Sequence, residues 1–222
     1  MLRALANRPT LEYERAFWRD GFVCVAGLDE AGRGALAGPV VAAAIILPRL
    51  DKGDWTRHQL FHAIARANDS KLLTERAREQ LFTPVCELAR AHAIGSAAHF
   101  EIDAINILRA SHLAMYRALD ALPLAPDALL LDALVLSNSD LPQQGIIHGD
   151  ARALSIAAAS ILAKVTRDRL MREFDAQYPH YGFAKHKGYG TRTHLDALQK
   201  FGPSPIHRKT YAPVKERMKD KG

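Results

Sequence analysis

Two short apolar runs, Phe22–Leu28 and Val40–Leu47, stand out in the first quarter of the chain. Each is bounded by turn-forming residues, the pattern of a strand. Their separation predicts an antiparallel pair with a wide, functional connection. A weaker third strand is predicted at Ile94–His99. Before it, Glu75 to His92 has apolar residues at helical spacing (Ala77, Leu81, Val85, Leu88), with Thr74 placed to cap the N-terminus. Pro84 either kinks this helix or opens a second one capped by Thr83. Ile102 to Leu122 reads as one long amphipathic helix ended by Pro123 and Pro126. Leu129-Leu130-Leu131-Asp132 is an apolar triplet closed by an acid, as in a central strand buried on both faces. Gly145-Ile146-Ile147-His148-Gly149-Asp150 repeats the pattern. A helix follows from about Leu154 to Tyr178; its early alanines (Ala157, Ala158, Ala159, Ala163) allow close approach to a sheet. Beyond Pro179 the chain is rich in Gly, Pro and Lys, with one short helix near Thr193–Phe201. The predicted class is α/β, a mixed sheet flanked by helices. Residues 1–20 are expected to be an N-terminal extension, 21–178 the main domain, and 179–222 a basic helical tail packed on it.

Composition narrows the class. At 222 residues, 48% hydrophobic and 24% charged, the chain has the makings of one globular domain. Its longest apolar run, Ala35–Leu47, is broken by Gly38 and Pro39 and is shorter than the ~20 residues of a membrane helix. The stretch around Arg3 and Arg8 lacks the apolar core of a secretion signal, so a cytoplasmic, membrane-free protein is expected, with monomer as the default. Cys24 and Cys86 are expected to be free thiols in a reducing compartment. Net charge is +6, and its location says more than its size. Residues 185–222 hold 10 Lys and Arg against 3 Asp and Glu; the rest holds 20 against 21. Tyr189, Phe201, His207 and Tyr211 lie among those charges, which favours a nucleic-acid partner over a merely solvated tail.

The candidate chemistry is acidic. Asp29, Glu30, Asp132 and Asp150 each follow an apolar run, so neighbouring strands would bring their ends together. Such an oxygen cluster suits a hard divalent cation, and two ions ~4 Å apart can activate water and stabilise a leaving oxygen. Strand pleating raises a difficulty, since Asp29 and Glu30 point to opposite faces unless the strand has ended. Either the Glu30 carbonyl serves, or a turn brings its carboxylate round. Spacing alone leaves ordinary turn acids, or a sugar- or phosphate-binding protein, open. Gly32-Arg33-Gly34 follows at once, with bare amides and one guanidinium. It is not a dinucleotide fingerprint, because the next glycine is Gly38. It is not a phosphate loop, because Arg33-Gly34 stands where Lys-Ser/Thr belongs.

The motifs resemble a known family. Asp29-Glu30-Ala31-Gly32-Arg33-Gly34 with Ala37-Gly38-Pro39-Val40-Val41-Ala42-Ala43 is similar to the opening of ribonuclease HII, the type 2 ribonuclease H. The resemblance continues through Asp69-Ser70-Lys71, Ala157 to Arg169, His186-Lys187-Gly188-Tyr189-Gly190-Thr191, and Gly202-Pro203-Ser204-Pro205-Ile206-His207-Arg208. It implies a ribonuclease H-like fold with a small C-terminal helical extension. It implies hydrolysis of RNA in RNA–DNA hybrids and incision 5′ to ribonucleotides in duplex DNA, leaving 3′-hydroxyl and 5′-phosphate ends. By position, Asp29, Glu30, Asp132 and Asp150 match the catalytic, metal-binding acids, with Mg²⁺ or Mn²⁺ as cofactor. Gly32, Arg33 and Gly34 match the turn that senses the ribose 2′-hydroxyl, where glycines allow close backbone approach. Tyr189 matches the tyrosine that packs on the neighbouring deoxyribose.

Asn68, Ser70 and Lys71 resemble a phosphate-contacting group. Lys164 and Arg167, with Ser160 one turn earlier, are expected either to hold the substrate backbone or to neutralise the acids, a solvated helix face being the alternative for Arg167. Asp168 is expected to pair with the flanking Arg167 and Arg169 rather than act as a fifth acid. His58 and His62 read as surface helix positions rather than a zinc site. Two positions depart from the family pattern: Ala133 where many members have glycine, and His148 where lysine is common. The competing readings are another nuclease of this fold, HIII-like or resolvase-like, and a catalytically silent hybrid-binding module.

Overall fold

The computed structural model describes residues 9–49 and 73–219. A five-stranded mixed sheet forms from β1 (Val25–Ala31), β2 (Val40–Ile46), β3 (Ala91–Ala97), β4 (Ala128–Asp132) and β5 (Gln143–Ile146), in the order β3-β2-β1-β4-β5. β1, β2 and β3 are antiparallel neighbours, whereas β4 and β5 run parallel to β1. The helices are α1 (Glu12–Arg19), α2 (Glu75–Leu88), α3 (His99–Ile105), α4 (Ile107–Asp120), α5 (Leu154–Gln177), α6 (Phe183–His186), α7 (Arg192–Phe201) and α8 (Ala212–Lys219).

The central strand β1 sorts its side chains by pleating. Val25 and Ala31 join the apolar cluster under α5, while Ala26 and Leu28 join the cluster under α4. α5 lies very close to the sheet because both surfaces are small. Ala157, Ala158, Ala159 and Ala163 are buried along it. A Cβ added at Gly27 would lie 2.4 Å from the Ser155 backbone, so only glycine fits there. α1 anchors the other end of this contact, because the buried Glu14 carboxylate accepts the Ser155 amide at 2.8 Å in the first turn of α5. That is where a helix leaves amides without partners.

Several elements differ from their sequence-based expectation. The first strand begins later, at Val25, and runs on through both acids to Ala31. The expected single helix over Ile102–Leu122 is two helices. Asn106 breaks it at φ 68° and caps the second by accepting the Leu108 and Arg109 amides. Pro84 sits inside one continuous α2, capped by Thr74 as expected. The strand before Asp150 is the short edge strand β5; Ile147 is 69% exposed, and Asp150 lies instead on a 3₁₀ turn (Gly149–Ala151). α1, α6 and α8 have no counterpart among the elements expected from the sequence. Cys24 and Cys86 are free thiols. Among the described residues no helix is long and apolar enough to cross a membrane.

Ala133, one of the two departures from the family pattern, turns the chain out of β4 at φ 54°, a conformation that Cβ opposes. Replacing it by glycine relieves that strain at some entropic cost. Ala133→Gly is therefore expected to stabilise the protein by about 0.5–1 kcal/mol and raise Tm by about 1–4 °C. A thermal melt checks this; an unchanged or lower Tm contradicts it.

Candidate active site

The site opens at the C-terminal ends of β1 and β4. These strands pair in parallel with Leu28 beside Leu131, which sets Asp29 beside Asp132. Asp150 is carried over from its 3₁₀ turn, where the Gly149 amide donates to Asp132 Oδ1 at 2.7 Å. Gly149 packs closely here: a Cβ on it would lie 2.7 Å from the tip of the Ile156 side chain, which would have to move aside. All four predicted acids line one cavity of about 290 Å³ together with Arg33, Gly34, Ser160, Lys164 and Tyr189.

The pleating difficulty is real, because the strand has not ended at Glu30. Asp29 faces α5, where its carboxylate is hydrogen-bonded to Ser160, and alternation sends Glu30 towards the α4 side. Both still border the cavity, and Asp29 Oδ1 accepts the Glu30 amide at 2.7 Å. Burial holds the Asp29 carboxyl well above the ordinary carboxylate range, and the nearby negative Glu30 and Asp132 push it further. Burial raises Glu30 too, opposed by Arg33, whose guanidinium reaches one carboxylate oxygen at 3.2 Å. The other oxygen, Glu30 Oε2, is buried with no hydrogen-bond partner.

The neighbouring cations are largely committed elsewhere. Lys164 pairs with Asp168, and burial lowers its pKa against the pull of that partner. An all-oxygen donor set carrying surplus negative charge and an orphaned carboxylate oxygen fits a hard divalent cation. Among the described residues, no three His, Cys, Asp or Glu side chains are drawn together tightly enough to cage an ion by themselves.

The Gly32-Arg33-Gly34 turn is oriented by Arg208. This fully buried guanidinium donates to the carbonyls of Gly32 (2.7 Å), Arg33 (2.8 Å) and Gly38 (3.0 Å). In a trans peptide the next amide points the opposite way, and no peptide here is cis among the described residues. Tying the first two carbonyls inward therefore turns the amides of Arg33 and Gly34 away from Arg208. Gly32 has φ 99°, and a Cβ on it would strike the Arg167 guanidinium at 2.0 Å.

Arg167 requires a correction. It neither faces solvent nor reaches the cavity. It is wholly buried, and its three nitrogens donate to the carbonyls of Pro39, Lys187 and Ala37 at 2.9–3.1 Å. It shapes the same loop from behind, 5.4 Å below the Tyr189 ring. Asp168 is an ion-pair partner, but of Lys164 and Arg78 rather than of its flanking arginines; Arg169 pairs with Glu79. His207 is fully buried, so it cannot contribute to a nucleic-acid surface. Asn68, Ser70, Lys71, His58 and His62 lie outside the described residues.

Sequence reasoning placed Arg208 at the end of the Gly202–Arg208 motif and among the charges of the basic tail, but gave it no role in the site. Its place in that motif was the available signal. Tyr189 itself is placed by antiparallel bridging with Ala35 and by the Leu36 amide, which donates to the Gly188 carbonyl at 2.8 Å.

The chain is similar to known proteins over most of its length. The family model for ribonuclease HII matches residues 26–214. A ribonuclease HII of Desulfitobacterium hafniense is 53% identical over 208 residues, covering 94% of this chain and 76% of that protein. One from Chloroflexus aurantiacus is 51% identical over 208 residues, covering 94% and 95%. Among solved structures, the ribonuclease H2 from Pyrococcus horikoshii superposes with a TM-score of 0.68 at 25% identity, over 88% of this chain and 97% of that one. With sequence matches of this length and identity across nearly every described element, the chain belongs to the ribonuclease HII family.

Proposed function

We propose that this protein, as a ribonuclease HII an endoribonuclease of RNA–DNA hybrids, cuts on the 5′ side of ribonucleotides in duplex DNA at the cavity formed by Asp29, Glu30, Asp132 and Asp150. The observation that supports the reading is the pairing of four cavity-lining carboxylates with a turn whose amides are directed away from Arg208. Asp29, Glu30, Asp132 and Asp150 would hold Mg²⁺ or Mn²⁺, in a two-ion arrangement that activates the attacking water and neutralises charge on the scissile phosphate. The carboxylates present oxygen ligands and repel a phosphodiester that arrives without cations. Gly32, Arg33 and Gly34 meet the ribose: their amides approach the 2′-hydroxyl where a Cβ would block it. The Arg33 guanidinium, 43% exposed, remains able to reach substrate while tethered to Glu30. Tyr189 packs on the sugar next to the ribose and rejects an added hydroxyl there. Lys164, at the cavity wall beside that ring, contacts the backbone phosphate. The cut leaves 3′-hydroxyl and 5′-phosphate ends. The protein is expected to work as a cytoplasmic monomer.

The resolvase-like reading has no use for a 2′-hydroxyl sensor, and the silent-module reading leaves the buried carboxylates without purpose. Incision of a DNA duplex carrying one ribonucleotide, assayed with and without Mg²⁺ or Mn²⁺, tests the proposal. Metal-dependent cutting 5′ to the ribonucleotide is expected; no cutting, or equal cutting of all-DNA duplex, contradicts it. Asp29→Asn is expected to lower the cleavage rate by about 10³-fold or more while substrate binding persists, as when charge stabilisation in a transition state is lost. Turnover near the unmodified rate would remove Asp29 from the chemistry. Tyr189→Ala is expected to slow single-ribonucleotide incision more than cleavage of long hybrids; equal losses contradict its assigned role.

A further inference from the structure

Behind Tyr189 lies a file of buried histidines that the reaction does not use directly. His186 is 8% exposed, and His194 and His207 are fully buried. His194 stacks on His186, with ring centroids 4.3 Å apart, and meets Phe183 edge-on at 5.5 Å. Nitrogens that cannot reach water need partners, and each ring nitrogen in this file has one.

The partners fix the direction of every bond. The Ser204 amide donates to His207 Nδ1 at 2.9 Å, with Ser204 Oγ 2.7 Å from the same nitrogen. An N–H can only donate, so His207 Nδ1 carries the lone pair and its proton sits on Nε2. His207 Nε2 lies 3.0 Å from His194 Nε2, which must therefore accept. At the other end, His194 Nδ1 lies 2.9 Å from the Tyr189 carbonyl, which can only accept, so the His194 proton is on Nδ1. The two ends assign the same tautomer to His194 independently. Burial pushes His207 down to about 3 and His194 down to about 4, so both rings are neutral near pH 7.

The file ends on the main chain of the residue assigned to sugar discrimination. The Tyr189 carbonyl also accepts the Thr191 amide at 2.8 Å, and the Tyr189 amide donates to the His186 carbonyl at 2.9 Å. Its ring lies over the Arg167 guanidinium. The backbone of Tyr189 is therefore held from two sides, by the bridge to Ala35 in the β1–β2 connection and, at its carbonyl, by α7 and the Ser204–Arg208 turn behind it.

We propose that Ser204, His207 and His194 form a one-directional hydrogen-bond relay that positions Tyr189, making His194 and His207 positioning residues for discrimination at the ribose–deoxyribose junction. This rests on the proposed role of Tyr189, so the test separates the two. The readout is the ratio of kcat/KM on a single-ribonucleotide duplex to kcat/KM on a long RNA–DNA hybrid. His194→Phe is expected to lower the ratio about 5- to 10-fold, the worth of one lost hydrogen bond to a well-placed group. His194→Asn places an amide donor near the position of Nδ1 and is expected to restore most of the ratio. In a Tyr189→Ala background His194→Phe should leave the ratio unchanged. If His194→Phe lowers both rates equally while Tyr189→Ala shifts the ratio, the relay is overturned and the tyrosine role stands. If Tyr189→Ala leaves the ratio unmoved, both fall. A measurement on the unmodified protein guards against a variant that fails to fold: ¹⁵N NMR of the histidine rings near pH 7 should show His194 protonated on Nδ1 only and His207 on Nε2 only. The opposite tautomer, or a doubly protonated ring, overturns the relay.

Discussion

Burying carboxylates together, with too little positive charge beside them, is the constraint around which this molecule is arranged. Asp29 and Asp150 are each 6% exposed, and the Glu30 side chain 7%. Removing such groups from water is costly unless a partner compensates. The fold offers partial compensation: Arg33 meets one oxygen of Glu30 while the other has no partner, Ser160 and the Glu30 amide serve Asp29, and the Gly149 amide serves Asp132. Lys164, the ammonium lining the cavity, pairs with Asp168. The remainder is a standing demand for cations, which a protein with no catalytic use for it would gain stability by losing.

The opposite wall follows the reverse logic. Two fully buried guanidiniums, Arg167 and Arg208, satisfy six main-chain carbonyls of the segments 32–39 and 187–190 and, with the exception of the Arg208–Tyr211 hydroxyl contact, take no side-chain partner in those bonds. Carbonyls drawn inward leave amides outward, so a loop without regular structure acquires a fixed polarity. Arginine suits this because its donors form a rigid fork that stays charged even when burial lowers Arg167 to about 10. Three of the acids thus stand on strands, and the sugar-facing turn and Tyr189 are held against each other by Arg167, Arg208 and the bridge between Ala35 and Tyr189.

Much of this was legible in the sequence because the signals were local. Leu129–Asp132 reads as a buried strand with an acid at its mouth, and the alanine face of α5 announces close packing. The ordered motifs carried the family. What failed depended on tertiary context. Asn106 looks like one polar position in a long amphipathic pattern, yet its side chain caps a helix after breaking one. Asp150 follows an apolar pair, but Ile147 turns outward at a sheet edge and the acid arrives on a 3₁₀ turn. Arg167 reads as a substrate contact or a solvated position and Arg208 as a motif residue without a role, since nothing local says that carbonyls 128 to 176 residues away will surround them. The basic excess after Lys185 is for the same reason not all surface: Lys187 and Arg208 are buried in the architecture of the site.

Thermal stability of the unmodified protein and of Asp29→Asn, each with chelator and with saturating Mn²⁺, tests the uncompensated acidic pocket most directly. With chelator, Asn at 29 relieves repulsion and should raise Tm, by about 2–4 °C for each kcal/mol relieved. With Mn²⁺ at about 100 times its dissociation constant, the unmodified protein should gain about 2.7 kcal/mol and the variant far less. A variant less stable than the parent without metal, together with an equal gain from Mn²⁺ in both, would contradict the account.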